Sequence, residues 1–307
     1  MTNSLTINYK FIRLLTLFIS SICSLSIIAK EPLISVIDDA GNTITLSKPA
    51  KRIIALAPHI VENIFSAGAG QFLVGSVNYA DYPEEAQSIP KVGGYDKYNI
   101  EAIAALKPDV IFAWQSGIPA HFFEKFKQLN IPLYIDEPST IPDVADAITN
   151  IGILTGTSHI AEQASQKLLK ALEQLQHSQA NKAEIAVFYQ VWSDPLYTVN
   201  GEQIISDVIR LCGGRNIFAD ESIKAPIISI ESVIERNPQV ILTGESHPTS
   251  NQSLNKWKQW PSITAVKFEN LFVLNADIVS RHTARIVQGA ESLCEKLDIA
   301  RKNLASK

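Results

Sequence analysis

The chain offers little that catalysis could use. Its 307 residues include three cysteines, one methionine and six histidines. Three cysteines cannot make a four-cysteine zinc cluster, and none is spaced for a zinc finger. The histidines (His59, His121, His159, His177, His247, His282) contain no i, i+4 pair, so no helix presents the two-histidine face of a zinc hydrolase. No phosphate-cradling glycine loop and no G-x-S-x-G elbow occur. Lys plus Arg number 27 against 31 Asp plus Glu, a net charge of -4. That excludes the basic field a nucleic-acid binder needs.

Long apolar runs are also scarce. The exception is Leu14 to Ile28, preceded by Lys10 and Arg13 and followed by Ala29. A charged start, an apolar stretch and a small residue are the marks of a secretory signal, assigned to residues 1–29. The run holds several serines and is short for a membrane span of about 20 apolar residues. A retained N-terminal anchor is the alternative. Cys23 follows the bulky Ile22, which argues against lipid attachment there. Removing the signal leaves Cys212 and Cys294. In an oxidising compartment such a pair is expected to be bridged, with two buried thiols as the alternative.

What the chain does contain is a repeat. Asn99 to Ile111 and Ser229 to Ile241 each run from a capping residue through Ile-Glu, a short apolar helix and a proline into an apolar strand. Glu231 stands 130 positions after Glu101. Such self-similarity predicts two like lobes. In the first, residues 30–150, a hairpin is expected over Ile34 to Leu46. Strands follow at Arg52–Ala57, Leu73–Val77, Val110–Trp114 and Leu133–Ile135, with helices at Val61–Ala67 and His121–Leu129. From Pro142 to His177 there is no strand signal. Ala161, Ala164, Leu168, Leu169, Leu172 and Leu175 recur at helical spacing, and residues 151–180 read as one long linker helix, with an ordinary surface helix of either lobe as the alternative. Residues 181–307 then replay the first lobe. Strands are expected at Ile185–Tyr189, Val240–Thr243 and Leu271–Leu274, and helices at Ile204–Leu211 and Ala284–Leu297. Trp257 and Trp260 fall in a polar insert. The fold class is α/β: two Rossmann-like lobes with mostly parallel sheets, joined by one long linker helix.

Ligands bind at the carboxyl ends of parallel strands. The residues there are aromatic: Tyr79 and Tyr82, Tyr95 and Tyr98, Trp114, Trp192 and Tyr197. Asp277 and Arg281 add charge after the last strand. His59 follows the first strand and reads as a cleft-lining or polar loop histidine rather than a metal ligand. Asp81, Glu84 and Glu85 read as a solvated turn. Glu101 and Glu231 read locally as first-turn acids stabilised by the helix dipole. The other reading is a pair of exposed acids, one per lobe, marking a docking surface.

Several of these segments resemble the periplasmic substrate-binding proteins of ABC importers for cobalamin, haem and iron-siderophores, and the cobalamin branch most. They are Arg52-Ile-Ile-Ala-Leu-Ala-Pro, Tyr79-Ala-Asp-Tyr-Pro, Asn99-Ile-Glu, Leu106-Lys-Pro-Asp and Ala113-Trp114 in the first half. In the second they are Cys212-Gly-Gly-Arg-Asn-Ile-Phe, Ile230-Glu-Ser-Val, Asp277 with Arg281, and Leu293-Cys294. The resemblance implies a non-enzymatic, monomeric periplasmic protein that holds cobalamin between its lobes as cargo. It implies an aromatic lining from Tyr79, Tyr95, Trp114 and Tyr197, with polar contacts from Asp277 and Arg281. It also implies a Cys212–Cys294 bridge, and docking of Glu101 and Glu231 on the two subunits of an inner-membrane permease. Two positions depart from the cobalamin pattern. Tyr95 and Ala225 stand where that branch has tryptophans, and Trp192 or His59 are the residues that could offset the loss at Ala225. The alternatives are a haem or ferric-siderophore protein of the same fold, or an exported metal-dependent hydrolase. The hydrolase needs a clustered His/Asp/Glu set that the sequence does not display.

Overall fold

Short apolar runs bounded by turn residues become the strands of two sheets. The computed structural model describes residues 33–95, 97–246 and 252–306. The expected signal segment and His247 lie outside them. Ile34–Ile37 (β1) and Thr43–Leu46 (β2) pair antiparallel, with Ile34 opposite Leu46. Asp38 closes this hairpin by accepting from the backbone N–H groups of Ala40 and Asn42 at 3.1 and 2.7 Å.

The first lobe continues with Ile53–Ala55 (β3), Leu73–Gly75 (β4), Gly93–Gly94 (β5), Lys97–Tyr98 (β6), Val110–Trp114 (β7) and Leu133–Asp136 (β8). Four of these form a parallel sheet in the order β4-β3-β7-β8. The second lobe has Ile185–Gln190 (β9), Trp192–Ser193 (β10), Leu196–Tyr197 (β11), Gly214–Asn216 (β12), Val240–Glu245 (β13) and Leu271–Asn275 (β14). Its parallel sheet runs β12-β9-β13-β14. The two orders are the same: the first strand of each parallel sheet lies between its second and third. Three-residue β12 was not anticipated, because Gly-Arg-Asn carries no apolar run.

The repeat occupies the same slot in both sheets. Asn99 Oδ1 accepts from Ala102 N at 2.9 Å, opening the Ile100–Ala105 helix that leads to β7. Ser229 Oγ accepts from Ser232 N at 3.1 Å, opening the Ile230–Arg236 helix that leads to β13. Each satisfies one of the orphan N–H groups at a helix start.

Between the sheets the helical stretch is two helices. Ile141–Thr155 starts at a capping box formed by Thr140 and Asp143, and ends at Gly156, whose φ of +72 favours glycine. Ser158–Gln179 follows, 22 residues long. The predicted linker boundary at residue 151 is therefore corrected, since residues 151–155 close the preceding helix. The two helices pack along each other, and a Cβ on Gly152 would come within 2.3 Å of Ala161 Cβ. The first packs on β1 and on the Pro58–Ser66 helix. The second reaches the Ile204–Leu211 and Ile286–Ala305 helices.

Two apolar clusters make up the core among the described residues. The smaller lies in the second lobe around Phe188, Phe218 and Trp257. Trp257 is fully buried, and its Nε1 donates to Gln190 Oε1 at 2.8 Å. The expectation of a polar insert there is thus corrected: the Gln252–Gln259 segment turns its tryptophan inward to seal the sheet. Cys212 and Cys294 are bridged and buried, tying the end of the Ile204–Leu211 helix to the Ile286–Ala305 helix.

Candidate ligand-binding cleft

Parallel strands deliver the residues that follow them to one edge of each sheet, and the two lobes bring these edges together. A cavity of about 510 Å³ lies there. Trp114 and Ser116, at the end of β7, form one wall. The opposite wall comes from Tyr189 and Val191 at the end of β9, Gly244 in β13, Ala276, Ser280 and His282 after β14, and the Ile223–Ala225 segment. A second chamber of about 300 Å³ belongs to the first lobe, with Tyr79, Tyr95 and Tyr98 on its walls. Trp114 lines both chambers.

The indole of Trp114 is held from three sides. His59 meets it edge-on with ring centroids 5.2 Å apart, and His282 lies 5.6 Å away. On the third side is Gly117, where a Cβ would sit 1.8 Å from the indole, so only glycine leaves the ring this position. Gly244 does the same for Tyr189: a Cβ there would approach its hydroxyl to 2.6 Å.

The expected site residues divide into groups. Tyr79, Tyr95 and Trp114 come together around the first-lobe chamber, with Tyr79 84% and Tyr95 77% exposed. Tyr197 and Trp192 face each other across the β10–β11 hairpin, and Trp192 is 63% exposed. Neither lines either chamber. His59 lies behind the wall, buried and hydrogen-bonded to Asp136 at 2.8 Å. The expectation that it lines the cleft is corrected: it supports Trp114 instead.

Asp277 and Arg281 belong to an ion network between the lobes. Arg281 bonds to Asp277 at 2.9 Å, Glu62 at 2.8 Å and Asp81 at 3.2 Å. Arg285 also reaches Glu62, at 2.7 Å, and its guanidinium lies over the Tyr82 ring. Asp81 is therefore an ion-pair partner rather than part of a purely solvated turn; Glu84 and Glu85 remain exposed. A second bridge joins Lys224 to Glu137. Asn63 Nδ2 adds a bond to the His282 carbonyl at 2.9 Å.

Glu62, Arg285, Glu137 and Lys224 were missed from the sequence. The available signal was Glu62 itself, a carboxylate on the buried face of an apolar helix, where charge survives only if paired.

Glu101 and Glu231 are both exposed and make no ion pair among the described residues. Each stands in the first turn of its short helix.

Comparison with known proteins agrees with this architecture. Residues 53–278 match the model of the periplasmic binding protein family. This chain belongs to that family. It is 36% identical over 255 residues to a vitamin B12-binding protein of Vibrio cholerae serotype O1, covering 83% of this chain and 91% of that one. A vitamin B12-binding protein of Yersinia pestis is 33% identical over 251 residues, covering 82% and 88%. Among solved structures, the periplasmic vitamin B12 binding protein BtuF of Vibrio cholerae matches with a TM-score of 0.78 and 36% identity, over 83% of this chain and 99% of that one. The periplasmic haem-binding protein BhuT matches with a TM-score of 0.72 at 17% identity, a likeness of fold alone.

Proposed function

We propose that this protein captures a corrinoid, vitamin B12 first among them, between its two lobes in the periplasm and delivers it to an inner-membrane ABC importer. The observation that carries this is the position of Trp114 as the shared wall of two chambers. A flat ligand larger than either chamber reaches both by lying across that indole. The rim fits the same ligand. Of the twelve exposed large hydrophobic residues among those described, Tyr79, Tyr82, Tyr95, Val191, Trp192, Ile223 and Ile227 stand beside the cleft or on the segments bordering it. Apolar side chains concentrated at one opening mark a binding site. The relatives named above as vitamin B12-binding proteins support the corrinoid.

Tyr79, Tyr95 and Trp114 form the aromatic lining, with Tyr197 and Trp192 on the hairpin at the second-lobe lip. Asp277 and Arg281 position the lobes and offer polar groups at their junction. Glu101 and Glu231 are the docking acids, one lobe to each permease subunit, and the protein acts as a monomer without catalysis. Residues 30–150 and 181–307 serve as the two ligand-binding lobes. Export rests on the leader read at residues 1–29 and is consistent with the buried disulfide.

Isothermal titration with cyanocobalamin tests this, with one-to-one binding expected. No heat and no change in the visible spectrum at micromolar protein would overturn it. Ala225 favours a second reading, because it leaves that part of the second-lobe wall without a stacking face. A haem ligand would announce itself by a Soret shift with haemin and no response to cobalamin.

A further inference from the structure

One group on the wall of the larger chamber has no partner. His282 is 5% exposed and lines that chamber. Neither of its ring nitrogens has a hydrogen-bond partner among the described residues. His59 shows the contrast: similarly buried, it is bonded to Asp136 and lines neither chamber. His282 meets ring faces only, those of His59 at 5.1 Å and Trp114 at 5.6 Å. Burial, and then the nearby His59 and Lys224, hold its pKa well below the ordinary histidine range. At neutral pH the ring is uncharged and keeps a free lone pair.

We propose that His282 is an axial ligand to the bound cargo, giving its lone pair to a transition metal already held in the plane of a macrocycle. Imidazole suits cobalt and iron alike. No group of three His, Cys, Asp or Glu among the described residues could hold a bare metal ion. His282 therefore acts alone, and the metal arrives with its equatorial positions filled. The indole of Trp114, its ring centroid 5.6 Å from that of His282, gives the macrocycle a flat face beside it. The step is a ligand exchange. A metal–water bond breaks, a metal–nitrogen bond forms, and water leaves. No electron is transferred, and the donating nitrogen of the neutral ring carries no proton to release. Cargo with an exchangeable axial position gains this bond, whereas cyanocobalamin, with both axial positions occupied, binds through the cleft walls alone.

This inference rests on the corrinoid reading, and the probe is diaquocobinamide, which carries exchangeable axial water. One equivalent of wild-type protein should move its visible bands to longer wavelength. His282→Ala should lose the shift, and added imidazole should restore it in that variant. His282→Gln, closer in size, should also lose the shift. The wild-type protein with the cobalt(II) form should show nitrogen splitting in its electron paramagnetic resonance spectrum, a readout that needs no variant. Cobinamide bound without spectral change or nitrogen splitting overturns the inference, as does a shift that survives both substitutions. If cyanocobalamin binds wild type while cobinamide shows no coordination, this inference alone falls. If neither corrinoid binds, the functional reading falls with it.

Discussion

Arg281 Nη1 lies 2.8 Å from Glu62 Oε1, joining the segment after the last strand of the second sheet to the first helix of the first lobe. Glu62 is 3% exposed and takes bonds from two guanidinium groups. Removing one member of a buried pair leaves the other charge uncompensated. Glu62→Gln should therefore lower stability by about 3 kcal/mol, seen as a fall of roughly 6–12 °C in Tm for a domain of this size. A Tm within a degree of wild type would mean that solvent already screens the network.

Gly117→Ala should displace the Trp114 indole. Cyanocobalamin affinity should drop at least about tenfold, equivalent to about 1.4 kcal/mol, with an altered tryptophan emission spectrum. Calorimetry beside fluorescence checks this. Wild-type affinity with a moved indole would remove Trp114 from the binding wall.

The pH dependence of stability should carry the mark of His282. Its folded pKa is depressed, so below about pH 6.5 the unfolded chain binds a proton that the folded chain refuses. Stability from this group is full above that pH and is lost as pH falls, with a slope of up to about 1.4 kcal/mol per pH unit. His282→Gln should flatten the curve between pH 5 and 6.5 in denaturant titrations. An identical slope in the variant would contradict the buried neutral ring.

Glu101→Ala with Glu231→Ala should leave ligand affinity in solution within about twofold of wild type, a difference of about 0.4 kcal/mol. Transport into cells or permease-loaded vesicles should be impaired. Loss of binding in solution would put the acids in the ligand site instead of the docking surface.

Reducing the Cys212–Cys294 bridge opens a closed loop spanning 82 positions. In the chain-entropy model this removes about 4–5 kcal/mol. Unfolding in urea with and without a reductant that reaches the buried sulfurs gives the difference. An unchanged midpoint after complete reduction would mean that packing of the Ile286–Ala305 helix already supplies the constraint.

The sheets were legible because parallel strands need short, continuous apolar runs. Val110–Trp114 and the Ile204–Leu211 helix match the sequence limits residue for residue. Strand β12 escaped because its pairing is backbone bonding without an apolar signature. Gly156 was visible in the sequence, but the apolar spacing runs on either side of it, and only its positive φ separates the two helices. The grouping of Tyr79, Tyr95 and Trp114 was legible because each follows a strand of the first lobe, but the same rule also picked Tyr197 and Trp192, which line neither chamber. The ion network could not: the members of its Glu62–Arg281 pair are 219 positions apart, and nothing local marks them as partners. His282 shows the same limit. The lack of a hydrogen-bond partner for its ring among the described residues is a property of three-dimensional surroundings, invisible in a count of six histidines.

The turn at Gly156 has a mechanical consequence. A lone helix between two bodies is a rod that flexes equally about every transverse axis. Two helices laid side by side, in close approach where Gly152 meets Ala161, form a ribbon. A ribbon resists bending within its plane far more than across it. The expected consequence is lobe motion across the ribbon in preference to motion within its plane.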